Sequence, residues 1–206
     1  MARHDLYVPF REKDAAKQLG ARWDAASRVW YVPEGIDTRP FSRWFPIHSD
    51  VNVKATSYYI AQTSKTCWEC TEQTRLFGFL LPAGTEILEP CDGVDGDYVW
   101  VLSEYPFFVQ YVTNITNANI ARMTAHTSSY CLDYSKPTQK SYWMNHCDHC
   151  CAKQGDFQIY SEPQGGFLLI REQDATKITL HPVNEAFVCN GDYGCDVEFF
   201  DLLQKD

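Results

Sequence analysis

SKTCWEC, residues 64–70, and YWMNHCDHC, residues 142–150, each carry two cysteines separated by two residues. Two intervening residues let a tight turn aim both sulfurs at one point. Two such knuckles facing each other complete a tetrahedron of thiolates, the arrangement zinc takes at about 2.3 Å per bond. The expected ligands are therefore Cys67, Cys70, Cys147 and Cys150, holding one Zn2+. The 76 residues between the knuckles form a long insertion, which is tolerable because loop-closure entropy grows only logarithmically. A closed four-cysteine site leaves no position for water, so such an ion is structural rather than hydrolytic. The competing reading is two buried or redox-active pairs. A thioredoxin-like motif, however, needs its CxxC at a strand-to-helix junction, and neither pair reads as one. His146, His149 and Cys151 flank the second pair as rival donors.

Both knuckles resemble those of many uncharacterised bacterial zinc-ribbon proteins. In that pattern the residue after the second cysteine is usually Gly. Here it is Thr71 and Cys151. A residue with a Cβ makes the positive-φ turn harder, so the resemblance implies slightly strained knuckles.

Around them, residues 52–206 read as β-rich. SYYIA (57–61), RLFGFLL (75–81), TEILE (85–89), DYVWVL (97–102), PFFVQYV (106–112), DFQIY (156–160), GFLLI (166–170) and TKITLHPV (176–183) are strand candidates by β-branched and aromatic content. Several of these runs are apolar throughout, which implies strands covered on both faces. Ile120 and Met123 place a short helix over 117–125, and a last helix is expected over 197–203. Cys91, Cys131, Cys189 and Cys195 remain. The last two flank NGDYG, read as a turn-rich loop, and a second metal site with His126 or His181 lacks a diagnostic spacing. Free buried thiols are the plainer reading. A cysteine nucleophile with His126 or His181 as base has no local motif behind it. GVDGD (93–97) lacks the ligand series of a calcium loop. EPQGG (162–166) reads as a hairpin turn.

The first 48 residues have a different character. LYVPF (6–10) is a short β-rich run, and EKDAAKQLG (12–20) spaces Ala15, Ala16 and Leu19 for one buried helical face, with Gly20 as C-cap. VWYV (29–32) is a second strand, closed by a turn at 33–35. TRPFSRWF (38–45) forms a last helical turn with Thr38 as N-cap. The expectation is β-α-β plus a short helix, filled by Trp23, Trp30 and Trp44, with residues 46–50 as linker. The whole chain is then expected to be α+β: a small tryptophan-rich domain over 1–48 and a β-rich zinc-ribbon domain over 52–206.

The stretch LYVPFREKDAAKQLGARWDAASRVWYVPEG (6–35) resembles a small bacterial domain of unknown function. That domain occurs in plasmid primase-like and topoisomerase-like proteins and beside other mobile-element proteins. The resemblance covers about residues 5–45 and implies nucleic-acid transactions without naming an activity.

Charge divides at the same boundary. Residues 1–48 hold eight Lys/Arg and six Asp/Glu, a net +2, whereas 49–206 hold ten and twenty-one, a net −11. An acidic body repels phosphates, so a nucleic-acid contact is expected only in the first part, through Lys13, Lys17, Arg22, Arg28, Trp23 and Tyr31. These charges also fit a plain solvated surface. Nine cysteines, an opening charged within a few residues, and no apolar stretch of membrane-spanning length point to a soluble cytoplasmic protein without disulfides. No catalytic motif is present. The expected function is a non-enzymatic interaction module that meets another protein or a nucleoprotein complex, with weak nucleic-acid contact through 1–48 and none with membranes. The alternative is a neutralising factor, of toxin-immunity or defence type, whose acidic body meets a basic partner.

Overall fold

Residues 4–6, 8, 10–25, 27, 29–33, 35–36, 39–44, 51–90, 98–163, 165–197 and 199–205 are described in the computed structural model of the chain. Arg28, Thr38, Cys91, the linker 46–50 and GVDGD lie outside them. Two compact units result, one of residues 1–50 and one containing most of 51–206.

In the N-terminal unit β1 (His4–Leu6), β2 (Arg22–Asp24) and β3 (Val29–Val32) form a sheet of order β1-β3-β2, every pair antiparallel. A 3-10 turn (Phe10–Glu12) leads into α1 (Lys13–Gln18), and Gly20 takes the positive φ of 103° that ends it. A second 3-10 turn spans Arg39–Trp44. Leu6, Ala16, Ala21, Val32, Phe41 and Trp44 form the core. Buried Trp44 keeps its indole N–H paired with Glu12 Oε2 at 2.8 Å. Tryptophan is thus used as core filling here, as a domain of this size requires.

The second unit is dominated by a sheet of nine strands among the described residues. In chain order its strands are β4 (Val53–Ala55), β5 (Tyr58–Thr66), β6 (Gln73–Leu81), β7 (Glu86–Pro90), β8 (Tyr98–Leu102), β9 (Phe107–Ile115), β13 (Thr179–Val183), β14 (Phe187–Asp196) and β15 (Gln204–Lys205). Across the sheet they run β15-β13-β5-β6-β9-β14-β4-β7-β8. A second sheet, β10-β11-β12, is built from β10 (Tyr130–Ser135), β11 (Lys140–His146) and β12 (Lys153–Gln154). The helices are α2 (Asn117–His126), α3 (Asp156–Tyr160) and α4 (Glu172–Ala175). Among the described residues no helix is long and apolar enough to cross a membrane.

The apolar strands are covered on both sides. Phe77, Phe79 and Leu81 of β6 join Tyr58, Ile60, Met123 and Tyr130 in one core. Leu76 and Leu80, pointing the other way, join Phe108, Ile159, Tyr160 and Phe167 in a second. Period two thus feeds two cores from one strand. Gly78 lies between Leu76 and Leu80 on that second side because a Cβ there would fall on the Tyr160 hydroxyl.

The expected α+β architecture, a β-α-β domain plus a separate zinc ribbon, is overturned: the molecule is mostly β-sheet. The N-terminal helix is followed by two strands rather than one. The two knuckles are not a small ribbon of their own, since each terminates a strand of a larger sheet. DFQIY is a helix, α3, rather than a strand. Gly155 in extended conformation starts it and Ile159 and Tyr160 are buried against the second core. GFLLI forms no ladder, because Phe167 N–H is taken by the Ile159 carbonyl at 3.1 Å and its ring stacks on Tyr160. The turn at Glu162–Gly165 closes with a 2.7 Å bond, but it follows a helix and is no hairpin. NGDYG is strand, not loop: β14 runs through it with two register shifts against β9. Among the described residues of 197–203 there is only a 3-10 turn, Phe200–Leu202. The helix over 117–125 is present as α2.

Candidate metal centre

The two knuckles have the same backbone. β5 ends at Thr66, Cys67 N–H bonds the Glu72 carbonyl at 2.8 Å, and Thr71 N–H bonds the Cys67 carbonyl at 3.1 Å. β11 ends at His146, Cys147 N–H bonds the Ala152 carbonyl at 2.9 Å, and Cys151 N–H bonds the Cys147 carbonyl at 3.0 Å. Thr71 and Cys151 close these turns with φ of 63° and 60°. The left-handed position that usually calls for Gly therefore exists in both knuckles, occupied by residues that carry a Cβ.

The four sulfurs of Cys67, Cys70, Cys147 and Cys150 lie within 4.8 Å of one another and could hold a metal ion. The Cys67–Cys150 and Cys70–Cys147 sulfurs are each 3.7 Å apart. A disulfide would require about 2.05 Å, so these are four thiols around a common centre. Burial acts to raise the Cys147 thiol, but the N–H groups of Cys150 and His149, followed by the Cys67 and Cys70 thiols, outweigh it and bring it down to about 6. Cys67 is lowered in the same manner. Cys70, although the Glu72 N–H favours its anion, is pushed up to about 12 by burial and by the sulfurs of Cys150, Cys147 and Cys67. Without a cation, four clustered thiols cannot all ionise.

The residues inside the knuckles tie the halves together. The Trp68 indole donates to the Lys153 carbonyl at 2.8 Å. Asp148 receives the Arg75 guanidinium at 3.0 Å, the Arg75 N–H and the Ser129 hydroxyl, while its own N–H donates to Thr74 Oγ1. His149 Nε2 meets the Gln73 carbonyl at 2.9 Å. Gln154 directs its amide N–H to Cys67 Sγ at 3.4 Å, the kind of outer bond that orients a ligand. Asn145, fully buried next to the second knuckle, accepts the Phe77 N–H and donates to the Phe77 carbonyl, both at 2.8 Å.

Of the rival donors, His146 and His149 are engaged elsewhere and exposed Cys151 lies outside the quartet. His146 bridges Cys131 Sγ, 3.3 Å from Nδ1, and Asp133 Oδ2, 3.0 Å from Nε2. Asp133 is held down to about 2 by His146 first and then by Lys153, 2.9 Å away. Burial, then Asp133, raises the Cys131 thiol, so this chain of polar contacts does not hold an activated nucleophile. Cys189 is buried in a core and burial pushes its thiol up. The His126 and His181 rings lie 4.6 Å apart between centroids, tilted by 37°. None of the bonds around the knuckles was foreseeable without the strands β10 and β11, whose signal was the alternation of Tyr130, Leu132 and Tyr134 and of Tyr142 and Met144.

In the N-terminal unit the predicted contact residues do not share one face. Arg22 stands opposite Tyr31 in the ladder and Trp23 opposite Trp30, so the two pairs occupy opposite faces. Half-exposed Trp23 leans on Trp30 at 5.7 Å. Lys13 and Lys17 stand one turn apart on α1, and the Lys13 ammonium lies 4.0 Å over the exposed ring of Phe10.

A family model described as Domain of unknown function (DUF5710) matches residues 3–46. Over 39 residues the chain is 62% identical to DNA primase TraC of Escherichia coli, which covers 19% of this chain and 4% of that protein. A second Escherichia coli protein of the same name is 55% identical over 42 residues, 20% of this chain and 3% of its own length. The chain thus spans a small fraction of the curated relatives it matches, and the family match excludes all four cysteines. No solved structure matches the chain.

Proposed function

We propose that this is a non-enzymatic binding module in which a zinc ion fastens the larger unit and the N-terminal unit works with nucleic-acid or mobile-element machinery. The observation that supports a tetrahedral thiolate metal such as zinc is the sulfur geometry. Zinc–thiolate bonds of about 2.3 Å imply tetrahedron edges of about 3.8 Å, and two of the observed edges are 3.7 Å. Cys67, Cys70, Cys147 and Cys150 would hold the ion. Bound there, its charge lets all four thiols ionise and its closed sphere leaves no site for water. Elemental analysis of the purified chain tests this reading. One equivalent of zinc, and thiolate charge-transfer bands on cobalt substitution, are expected; below about half an equivalent the assignment fails.

The nucleic-acid half of the reading is supported by the match of residues 3–46 to parts of proteins named DNA primase. Lys13, Lys17 and Arg22 would meet phosphates, with Trp23 or Tyr31 offering a ring for base stacking, worth roughly 1–3 kcal/mol per base. Because the remainder of the chain carries −11, binding of the whole protein to single strands should be weak and steeply salt-dependent. Titration of a labelled oligonucleotide at low salt should detect it, and Lys17→Glu with Arg22→Glu should abolish it. No binding by the full chain at low salt would remove nucleic acid from the reading and leave a protein-binding module.

A further inference from the structure

The outermost strand of the nine-stranded sheet, β8, pairs among the described residues only with β7. Its polarity can be worked out. Leu88 N–H bonds the Asn52 carbonyl at 2.9 Å and Ser103 N–H bonds the Thr85 carbonyl at 2.8 Å. Antiparallel strands alternate their bonding side. Val99 and Val101 therefore bond inward to β7, and Tyr98, Trp100 and Leu102 turn N–H and C=O outward. Natural sheets blunt such an edge with Lys, Pro or a bulge, yet YVWVL has none of these. It is instead apolar and open: Tyr98 is 62% exposed and Leu102 66%. Beside it runs a groove of about 440 Å3 lined by Ile87, Val101, Phe107 and Tyr193 together with Glu89 and Glu104.

Charge selects the occupant. From Glu86 to Tyr105 the chain has six acidic residues and no Lys or Arg. Lys54 of β4 has its ammonium 3.9 Å over the Trp100 ring. A second copy of the chain would bring the same acidic stretch against its own kind, which is repulsive across paired strands. We propose that β8 is a docking edge for an extended segment of another protein in which basic and apolar residues alternate, added as a further strand. The outward N–H and C=O groups of residues 98, 100 and 102 bond its backbone, its apolar side chains enter the groove, and its cations meet Glu89 and Glu104. This mode combines main-chain bonding for affinity with side-chain pockets for choice of partner. It rests on the second unit alone and stands apart from the nucleic-acid reading.

The test uses the full, metal-loaded chain and three synthetic decapeptides: alternating Lys–Val, alternating Glu–Val, and Lys–Val interrupted by proline. Binding is read by fluorescence anisotropy and by hydrogen exchange of the β8 amides. The Lys–Val peptide should bind at least about tenfold more tightly than either other peptide and slow exchange at 98, 100 and 102. Trp100→Pro, which removes one outward N–H and leaves the β7 ladder whole, should weaken it by about tenfold, the worth of roughly 1.4 kcal/mol. Trp100→Phe should bind as the parent does. Glu89→Lys with Glu104→Lys should invert the preference towards Glu–Val, which keeps the test alive if the proline variant misfolds. Equal binding of all three peptides, or unchanged preference in the charge-reversed chain, overturns the proposal. So does concentration-dependent protection of the same amides without peptide, which would assign the edge to a second copy.

Discussion

Asn145→Ala should be among the most damaging single substitutions in the second unit. Opposite Gln62, Phe77 turns its N–H and C=O away from β5, and β9 pairs with β6 only over residues 79–81, so no ladder partner receives them. The Asn145 amide stands in for that strand, accepting the Phe77 N–H and donating to its carbonyl at 2.8 Å each. Both residues are about 1% exposed, so water does not replace the lost partner. Leaving a buried backbone group unpaired costs about 1–3 kcal/mol, and two such groups give about 2–6 kcal/mol. For a unit of this size that corresponds to a fall in Tm of about 2–4 °C per kcal/mol. Urea unfolding of metal-loaded protein, followed by tryptophan fluorescence, measures it. Asn145→Asp is the informative companion, because it keeps an acceptor for the N–H but sets a carboxyl oxygen against the Phe77 carbonyl. It should lose at least as much stability at neutral pH as Asn145→Ala. A loss below about 1 kcal/mol in both variants, at unchanged m, would refute the claim that this amide replaces a strand.

Four other outcomes follow from the same geometry. Thr71→Gly and Cys151→Gly each relieve a left-handed residue and should stabilise the loaded protein by roughly 0.5–1 kcal/mol, read as a rise in denaturation midpoint. Cys67→Ser or Cys150→Ser should lose the metal and destabilise the fold, since binding and folding are linked; inductively coupled plasma analysis beside a melting curve would show it. Gly78→Ala should cost about 1–3 kcal/mol by overpacking against Tyr160, with a lower Tm as readout. Asp156 is fully buried, and burial above all raises its carboxyl to about 7 although the Tyr111 N–H bonds it at 2.6 Å. A carboxyl raised in the folded state contributes stability that is complete below its unfolded value near 4 and lost as pH rises through 7. Asp156→Asn should therefore gain on the parent by up to roughly 4 kcal/mol between about pH 4 and 7, and parallel pH–stability curves for the two proteins would contradict that assignment.

How much of this was legible in the sequence depends on whether the signal was local. The ligand quartet was, because a CxxC knuckle is a local turn and needs only its partner. The positive φ at Thr71 and Cys151 was equally local. Strands β5, β6 and β9 were visible as aromatic and branched runs, since burial on both faces writes apolar residues at most positions, and β8 was visible by the same composition although it is largely exposed. Strands β10 and β11 were missed because Cys131, Asp133, Ser141 and other polar residues on both faces dilute the composition. β14 was misread because Gly191 and Gly194 look like a turn. They are needed where β9 comes close: a Cβ at Gly191 would lie 2.8 Å from the Gln110 carbonyl. DFQIY had the composition of a strand, but Ile159 and Tyr160 are adjacent and both buried, which a one-faced strand cannot achieve and a helix turned into a core can. The α+β expectation failed on the sum of these errors, for β14 belonged to the nine-stranded sheet and β10 and β11 to a second sheet beside it.

The position of the knuckles explains why a metal would matter here. The first ends the β5–β6 hairpin of the large sheet, and the second ends β11 of the small one. An ion held by both therefore joins two sheets rather than closing one loop. The contacts around it cross the same junction: Arg75 to Asp148, Trp68 to Lys153, His149 to Gln73 and Asn145 to Phe77. Each links residues about 70 to 85 positions apart, as far as the knuckles themselves. By analogy with a disulfide, a cross-link over such a length restricts the unfolded chain by roughly 4–5 kcal/mol, more than any one of those hydrogen bonds supplies. The sheet order then separates holding from meeting. Four strands, β9, β14, β4 and β7, stand between the β6 side of the metal centre and the open β8 edge. An ion there would secure a frame whose proposed docking edge lies elsewhere, which is the arrangement expected of a closed structural site.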